Sequence, residues 1–249
     1  TLAAYLYIPA FFVTLGGLLA WRGVVEWLRD GSTIGITEPT FIALGQSYIG
    51  TTLGWILAAV AVVFVVFMAI RRAQSAKAYG LGEANYKGEL LKTILPVMAI
   101  VAFIWVMNSY EDKGTYRGVP TPVLILVVVA LLGGFLTTST TFGRYLYAIG
   151  GNTDAARLSG INTKRNVLAV YGILGAVTGL AALIHAGRLG SATPDAGVLK
   201  ELDAIAAVVI GGTSLMGGRG SMAGTFCGVL IFGLLSNILQ LHNINSNLQ

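Results

Sequence analysis

Long tracts without a charged residue alternate along the chain with short polar connectors. The uncharged tracts are residues 1–21, 39–70, 93–110, 118–143, 166–187, 204–218 and 220–249. A bilayer core about 30 Å thick requires roughly 20 apolar residues per helix, and most of the tracts reach or approach that length. The pattern therefore predicts an all-α fold, a polytopic bundle of transmembrane helices.

The composition excludes several other classes of protein. Of the 249 residues 55% are hydrophobic and only 11% are charged, more apolar surface than a soluble domain of this size can bury. The single cysteine, Cys227, excludes a disulfide scaffold and a cysteine-rich metal site. Residues 123–132 lack the alternation of a membrane β-strand. The chain has no basic patch interleaved with aromatic residues, so nucleic acid is not expected as a partner.

The charged connectors predict the orientation of the helices, because Lys and Arg are in excess on the cytoplasmic side of membrane proteins. With residues 7–22 directed outward, ten basic and three acidic residues fall inside, against six basic and eight acidic residues outside. The opposite orientation would place most basic residues outside. We expect a multi-pass inner-membrane protein. Residue 1 lies within an apolar tract that has no targeting signal, and residue 249 follows soon after another hydrophobic segment. We therefore also expect the interior of a longer protein, with spans absent at both ends.

Glycines mark two further features. Residues 204–218 are short for a crossing and end in a glycine cluster, which predicts a short or broken membrane helix that lines a cavity. Gly220, Gly224 and Gly228 are spaced four apart, as are Gly175 and Gly179. Such spacing allows close helix packing, either within the chain or against a second subunit or a moving helix.

The connector 143–165, GRYLYAIGGNTDAARLSGINTKR, contains the signals of a short helix. Asn152 or Thr153 can cap its start, Asp154 complements its positive end, and Gly160 can adopt the left-handed conformation that ends a helix. On the basic side of the membrane, this helix is either a docking element for a cytoplasmic partner or an ordinary amphipathic connector.

Residues 143–165 and residues 201–225 (ELDAIAAVVIGGTSLMGGRGSMAGT) together resemble the permease subunits of bacterial ABC importers for monosaccharides such as ribose, xylose and galactose. Because the resemblance implies a role in coupling to an ATPase, we call residues 143–165 the coupling loop. Residues 7–23 (YIPAFFVTLGGLLAWRG) and 117–125 (RGVPTPVLI) fit the same family, so the resemblance covers nearly the whole chain. The longer outer loop after Trp27, with GSTIG and EPTF, resembles the xylose branch more than the ribose branch.

This resemblance implies a single permease domain over residues 1–249 that works as a homodimer in the lipid bilayer and has no cofactor. A periplasmic sugar-binding protein would deliver the substrate, and two ABC ATPase subunits would drive the change between outward-open and inward-open states. Residues 152–160 match the family's coupling helix. The implied ATPase-coupling residues are Gly150, Gly151, Asn152, Asp154, Ala155, Ala156, Arg157, Leu158, Ser159 and Gly160.

The chain lacks the residues that a nucleotide-binding site or an intramembrane protease would need. Residues 212–217 approach a phosphate-binding loop, but Gly218 stands where Lys is required and Arg219 where Ser or Thr is required, so we expect a turn between helices. His185 and His242 lie at the ends of predicted helices, and no acid lies mid-span. We therefore expect a transport subunit without catalytic residues and without a metal site.

An ion-coupled secondary transporter or channel for a small neutral solute is the alternative function. Ion coupling normally leaves ionisable side chains inside the spans, and these spans are nearly free of them. Their absence favours a neutral sugar that passes through a transient, water-filled path. Asn108, Thr213 and Ser214 are candidates to line that path, although hydrogen bonds between helices would explain each of them equally well.

Overall fold

The computed structural model describes residues 9–78, 86–109, 111–112 and 115–242. Within these residues ten helices and three small antiparallel strand pairs form. The helices are α1 Ala10–Arg29, α2 Pro39–Gln46, α3 Thr51–Ala78, α4 Tyr86–Asn108, α5 Thr121–Ser139, α6 Thr141–Gly151, α7 Thr153–Leu158, α8 Thr163–Leu189, α9 Lys200–Ile210 and α10 Met222–Leu241. The strands are β1 Ile34–Gly35, β2 Tyr48–Ile49, β3 Glu111–Asp112, β4 Thr115–Tyr116, β5 Val119–Pro120 and β6 Ser191–Ala192.

The predicted all-α transmembrane architecture is confirmed. Among the described residues five helices are long and apolar enough to cross a bilayer, and the apolar part of α4, Thr93–Asn108, is shorter. The five segments are Phe11–Arg29, Thr51–Arg71, Thr121–Ser139, Thr163–Leu189 and Met222–Leu241. Their large apolar side chains are mostly exposed, as expected for helices that face lipid.

The chain divides into two compact units, which are described separately. Unit 2 comprises residues 46–124, and its core is the contact of α3 and α4 with β5, where Ala58, Ile104 and Val119 are buried. The strand pair β2–β5 aligns Ile49 with Val119. This small sheet fixes the chain immediately before α3 and immediately before α5.

Unit 1 comprises residues 1–45 and 125–249, and one of its ends is closed by backbone contacts. The pair β1–β6 aligns Ile34 with Ala192. A methyl group on Gly187 would lie 2.6 Å from the Phe41 carbonyl oxygen, so α2 packs against the last turn of α8 without space for a side chain. Gly190, in the left-handed region with φ +64°, then ends α8.

At the other end of unit 1, three consecutive helices are each capped by a polar side chain. Thr140 Oγ1 accepts a hydrogen bond from the Gly143 N–H at the start of α6. Asn152 caps α7, and Asn162 caps α8 by accepting from the Arg165 N–H at 3.0 Å. Because each cap satisfies a backbone donor that the helix leaves free, the chain reverses direction here in short, defined steps.

The predicted short membrane helix is α9, with 11 residues. At 1.5 Å per residue it is about 16 Å long, roughly half the bilayer core. Its backbone approaches α10 closely, since a methyl group on Gly228 would overlap the Ala207 carbonyl oxygen and one on Gly224 would overlap that of Gly211. Residues 211–221, called the glycine loop from here on, connect the two helices.

Candidate functional site

The helix α7 has the predicted signals at both of its ends. The Asn152 side chain accepts a hydrogen bond of 2.9 Å from the Ala155 N–H, and Asp154 lies in the first turn. Gly160 has φ +84°, and its N–H donates to the Arg157 carbonyl at 3.1 Å. The Ile161 N–H donates to the Ala156 carbonyl, which completes a Schellman motif. The predicted capped helix is confirmed, while its role in coupling stays a prediction.

The two faces of α7 differ in burial. Ala156 is 4% exposed and anchors the helix, which contacts both α6 and α8. On the outer face Arg157 is exposed, and Leu158 is 89% exposed. Two further implied coupling residues, Ala155 and Ser159, are also exposed, and Ser159 Oγ donates to the Ala155 carbonyl. The helix therefore presents a compact surface that combines an apolar and a cationic side chain.

The glycine loop is ordered by its own hydrogen bonds. The Ser214 N–H donates to the Arg219 carbonyl at 2.9 Å, and the Gly217 N–H donates to the Ser214 carbonyl. Three glycines in the loop, Gly212, Gly217 and Gly218, have positive φ. The expected turn between two helices is confirmed.

This loop lies directly against the residues that precede α7. A methyl group on Gly150 would lie 2.5 Å from the Gly218 nitrogen, and one on Gly218 would lie 2.8 Å from the Gly151 Cα. Tyr147 Oη donates a hydrogen bond of 2.9 Å to the Gly220 carbonyl. The sequence did not predict this junction, because its two segments are far apart in the chain. The glycine pairs in each segment were the only indication of a close approach.

The three candidate path residues do not form one group. Asn108 belongs to unit 2, where it is buried and its Nδ2 donates to the Thr51 carbonyl at 3.3 Å. It borders an open cleft of about 410 Å³ together with Thr51, Trp55 and Ser109. Thr213 and Ser214 belong to the glycine loop in unit 1, where Ser214 Oγ accepts from the Met216 N–H. Their role in a path stays a prediction.

The three glycines with fourfold spacing divide between helix and loop. Both Gly224 and Gly228 lie on α10, where Gly228 faces Ala207 of α9 and Gly224 faces Gly211, the first residue of the glycine loop. Gly220 lies outside the helix, because the Ser221 side chain accepts from the Gly224 N–H and so begins α10 at Met222. A methyl group on Gly220 would instead meet the Thr213 side chain at 3.0 Å.

At the opposite end of α9, Lys200 and Glu201 are exposed and Asp203 is half-buried. The Lys200 ammonium forms a 2.8 Å ion pair with Asp203, and Glu201 also lies in the first turn. The N-cap residue is Leu199 in the left-handed conformation, and no side chain caps the helix. The carboxylates therefore stabilise the N-terminus of α9 through their negative charge and not through a capping hydrogen bond.

Comparison with known proteins identifies the family. The family described as "Branched-chain amino acid transport system / permease component" matches residues 2–248. The xylose transport system permease protein XylH of Escherichia coli K12 is 42% identical over 97% of this chain and 60% of its own length. The Haemophilus influenzae XylH is 40% identical over 97% of this chain and 63% of its own. The ribose import permease RbsC of E. coli K12 is 51% identical over 55% of this chain and 42% of its own.

No solved structure matches the chain. The chain spans about 60% of the length of the xylose permeases that it matches. The apolar helices and these relatives make it a multi-pass inner-membrane protein. The match over nearly its whole length shows that the chain belongs to this family of transport-system permeases, in the branch that includes the xylose and ribose permeases.

Proposed function

We propose that this chain is the membrane-spanning part of a permease subunit of an ATP-driven ABC importer that moves a monosaccharide into the cytoplasm. Xylose is the sugar that we assign, because the similarity to permeases named for xylose transport extends over 97% of the chain. The similarity to the ribose permease covers 55%. This difference in coverage is the observation that carries the assignment.

The proposal gives α7 the role of the coupling helix. ATP hydrolysis would take place on partner ATPase subunits, and α7 would dock into a groove on their surface. The helix suits this role because it is short, capped at both ends and anchored by the buried Ala156, with Arg157 and Leu158 exposed. Residues 143–165 are then a cytoplasmic coupling loop, as the excess of basic residues there favours.

The remaining partners follow from the same proposal. A periplasmic sugar-binding protein would deliver xylose to the outer face, and a second copy of the permease would complete the pathway. Asn108 is the side chain that we propose for the path in unit 2, since it is a buried amide beside a cleft with an exposed indole. Thr213 and Ser214 are proposed for the path at the glycine loop.

Uptake in sealed vesicles tests the proposed function. We expect vesicles that contain the protein, together with partner ATPase and sugar-binding subunits, to accumulate labelled xylose only when ATP is supplied. Vesicles with a catalytically inactive ATPase are the matched control. Accumulation driven by a proton gradient without the ATPase would overturn the proposal in favour of an ion-coupled secondary transporter or channel.

The Gly160→Pro variant tests the coupling role of α7. Proline cannot adopt φ +84°, and it removes the N–H that bonds to the Arg157 carbonyl, so the end of α7 is lost. We expect normal membrane insertion but ATP hydrolysis that no longer drives uptake. The Arg157→Ala variant should also uncouple hydrolysis from uptake without affecting insertion. Normal uptake by Gly160→Pro would contradict the coupling assignment.

A further inference from the structure

Three highly exposed, large apolar side chains lie in unit 1 on the coupling loop and the glycine loop. Contact with lipid along a membrane-spanning helix does not explain their exposure. Among the described residues, the highest exposed fractions of large hydrophobic side chains belong to Met216 (93%), Leu158 (89%) and Leu215 (79%). None of the three is on a membrane-length helix. Leu158 belongs to α7, and the other two form the tip of the glycine loop.

The tip of the glycine loop is held in place beside the coupling loop. Gly217 and Gly218, which directly follow Met216, pack backbone to backbone against Gly150 and Gly151. The Met216 N–H donates to Ser214 Oγ at 3.2 Å within the loop. The side chains are therefore presented from an ordered turn that is continuous with the segment leading into α7.

Most of the exposed charged side chains on the same segments are basic. Arg157 and Arg219 are exposed, as are Arg144 on α6 and Arg165 at the start of α8, and the acid among the described neighbours on α7 is Asp154. A surface on which exposed apolar side chains belong to mainly basic segments is complementary to a partner groove that has both apolar and acidic side chains.

We propose that Leu215 and Met216 are a second contact for the ATPase subunit and form one docking surface with α7. This inference rests on the proposed function, in which α7 binds that subunit. The bilayer surface is a poorer occupant, because lipid-binding helices have a long, continuous apolar face, whereas α7 has six residues and one large apolar side chain. Two separate apolar contacts on an ordered backbone match a shaped protein groove better.

Binding of the purified ATPase to the full protein in nanodiscs tests this inference. Losing two buried apolar side chains from an interface corresponds to about tenfold or more in Kd. We expect the double variant Leu215→Ser with Met216→Ser to weaken binding by that factor. The Val198→Ser variant, an exposed loop residue after β6, is the matched control and should bind within about twofold of the unmodified protein.

The Leu158→Ser variant separates this inference from the proposed function. If Leu158→Ser weakens binding and the Leu215/Met216 double variant does not, the second contact is refuted while the role of α7 stands. If the unmodified protein does not bind the ATPase at all, the proposed function fails and the second contact fails with it.

Photocrosslinking decides the matter without a destabilising change. A Met216→benzoylphenylalanine variant should crosslink to the bound ATPase on illumination. Crosslinks to lipid alone would overturn the inference and assign the loop tip to the bilayer surface. This measurement stands even if the double variant fails to fold.

Discussion

Two glycine-rich regions of unit 1 use glycine for opposite reasons. At Gly160, the end of α7, the backbone has φ +84° and the space around the Cα is open, so the demand is conformational. At Gly228, where α9 and α10 meet, the backbone is helical but the Ala207 carbonyl occupies the place of a side chain, so the demand is steric. The first region needs a left-handed residue, and the second needs the absence of a methyl group.

The junction between the coupling loop and the glycine loop is of the second kind. Gly150 and Gly218 are close enough that their backbones touch, and the glycine loop continues directly into α10. If α7 moves with the ATPase as proposed, this contact is the place where the movement would reach the glycine loop and the α9–α10 pair. The comparison leads to a specific expectation, namely that alanine is harmful where space is lacking and asparagine is tolerated where only conformation matters.

The largest effect is expected at the α9–α10 contact. Gly228→Ala places a methyl group on the Ala207 carbonyl, and overpacking of this kind typically costs about 1–3 kcal/mol. We expect a clearly lower thermal unfolding midpoint in detergent. The matched control is Gly233→Ala on the same helix, where nothing lies within 4 Å of the added methyl group. An equal midpoint for the two variants would show that the contact is not a tight one.

An intermediate effect is expected at the junction of the two loops. Gly150→Ala brings a methyl group to 2.5 Å from the Gly218 nitrogen, whereas Gly151→Ala meets nothing within 4 Å. Both positions are on α6, so helix propensity affects them alike. We expect Gly150→Ala to reduce ATP-driven uptake strongly and Gly151→Ala to leave it nearly unchanged. Similar uptake by the two variants would show that the close contact between the two loops is not needed for ATP-driven uptake.

The smallest effect is expected at the end of α7. Gly160→Ala forces an L-residue into the left-handed region at a cost of about 1–2 kcal/mol, whereas asparagine visits that region more readily. We expect hydrogen exchange of the Ala155 and Ala156 amides to accelerate in Gly160→Ala and to change less in Gly160→Asn. Faster exchange in both variants alike would mean that glycine is needed here for space and not for conformation.

The sequence was sufficient for features that depend on local pattern. Uncharged tracts predicted the membrane-length helices, and the Asn152 and Gly160 signals predicted α7, because both depend on residues that are close in sequence. The spacing of Gly220, Gly224 and Gly228 was less informative, since periodicity cannot show that Ser221 begins the helix. The Gly150–Gly218 contact and the exposure of Met216 depend on distant segments coming together, which no local signal records.

The same glycine spacing has different outcomes at two places in the chain, and the packing of either face against a second copy stays a prediction. Gly175 and Gly179 share the fourfold spacing of Gly224 and Gly228, yet within the described part of the chain nothing lies within 4 Å of a methyl group placed on either. The two pairs differ only in what packs against them. Glycine spacing therefore identifies helix faces that permit close packing, but it does not show which of these faces another helix contacts in this chain.

The side of the membrane on which α7 lies tests the central claim most directly. In a Cys227→Ser background, which removes the single cysteine, the Ser159→Cys variant supplies one thiol beside α7, and a Thr193→Cys variant supplies a control after β6. The account predicts that an impermeant maleimide labels the Ser159→Cys protein only from the cytoplasmic side and the Thr193→Cys protein only from the periplasmic side. Bound ATPase should protect the first of these. Labelling of the Ser159→Cys protein from the periplasm would contradict the account.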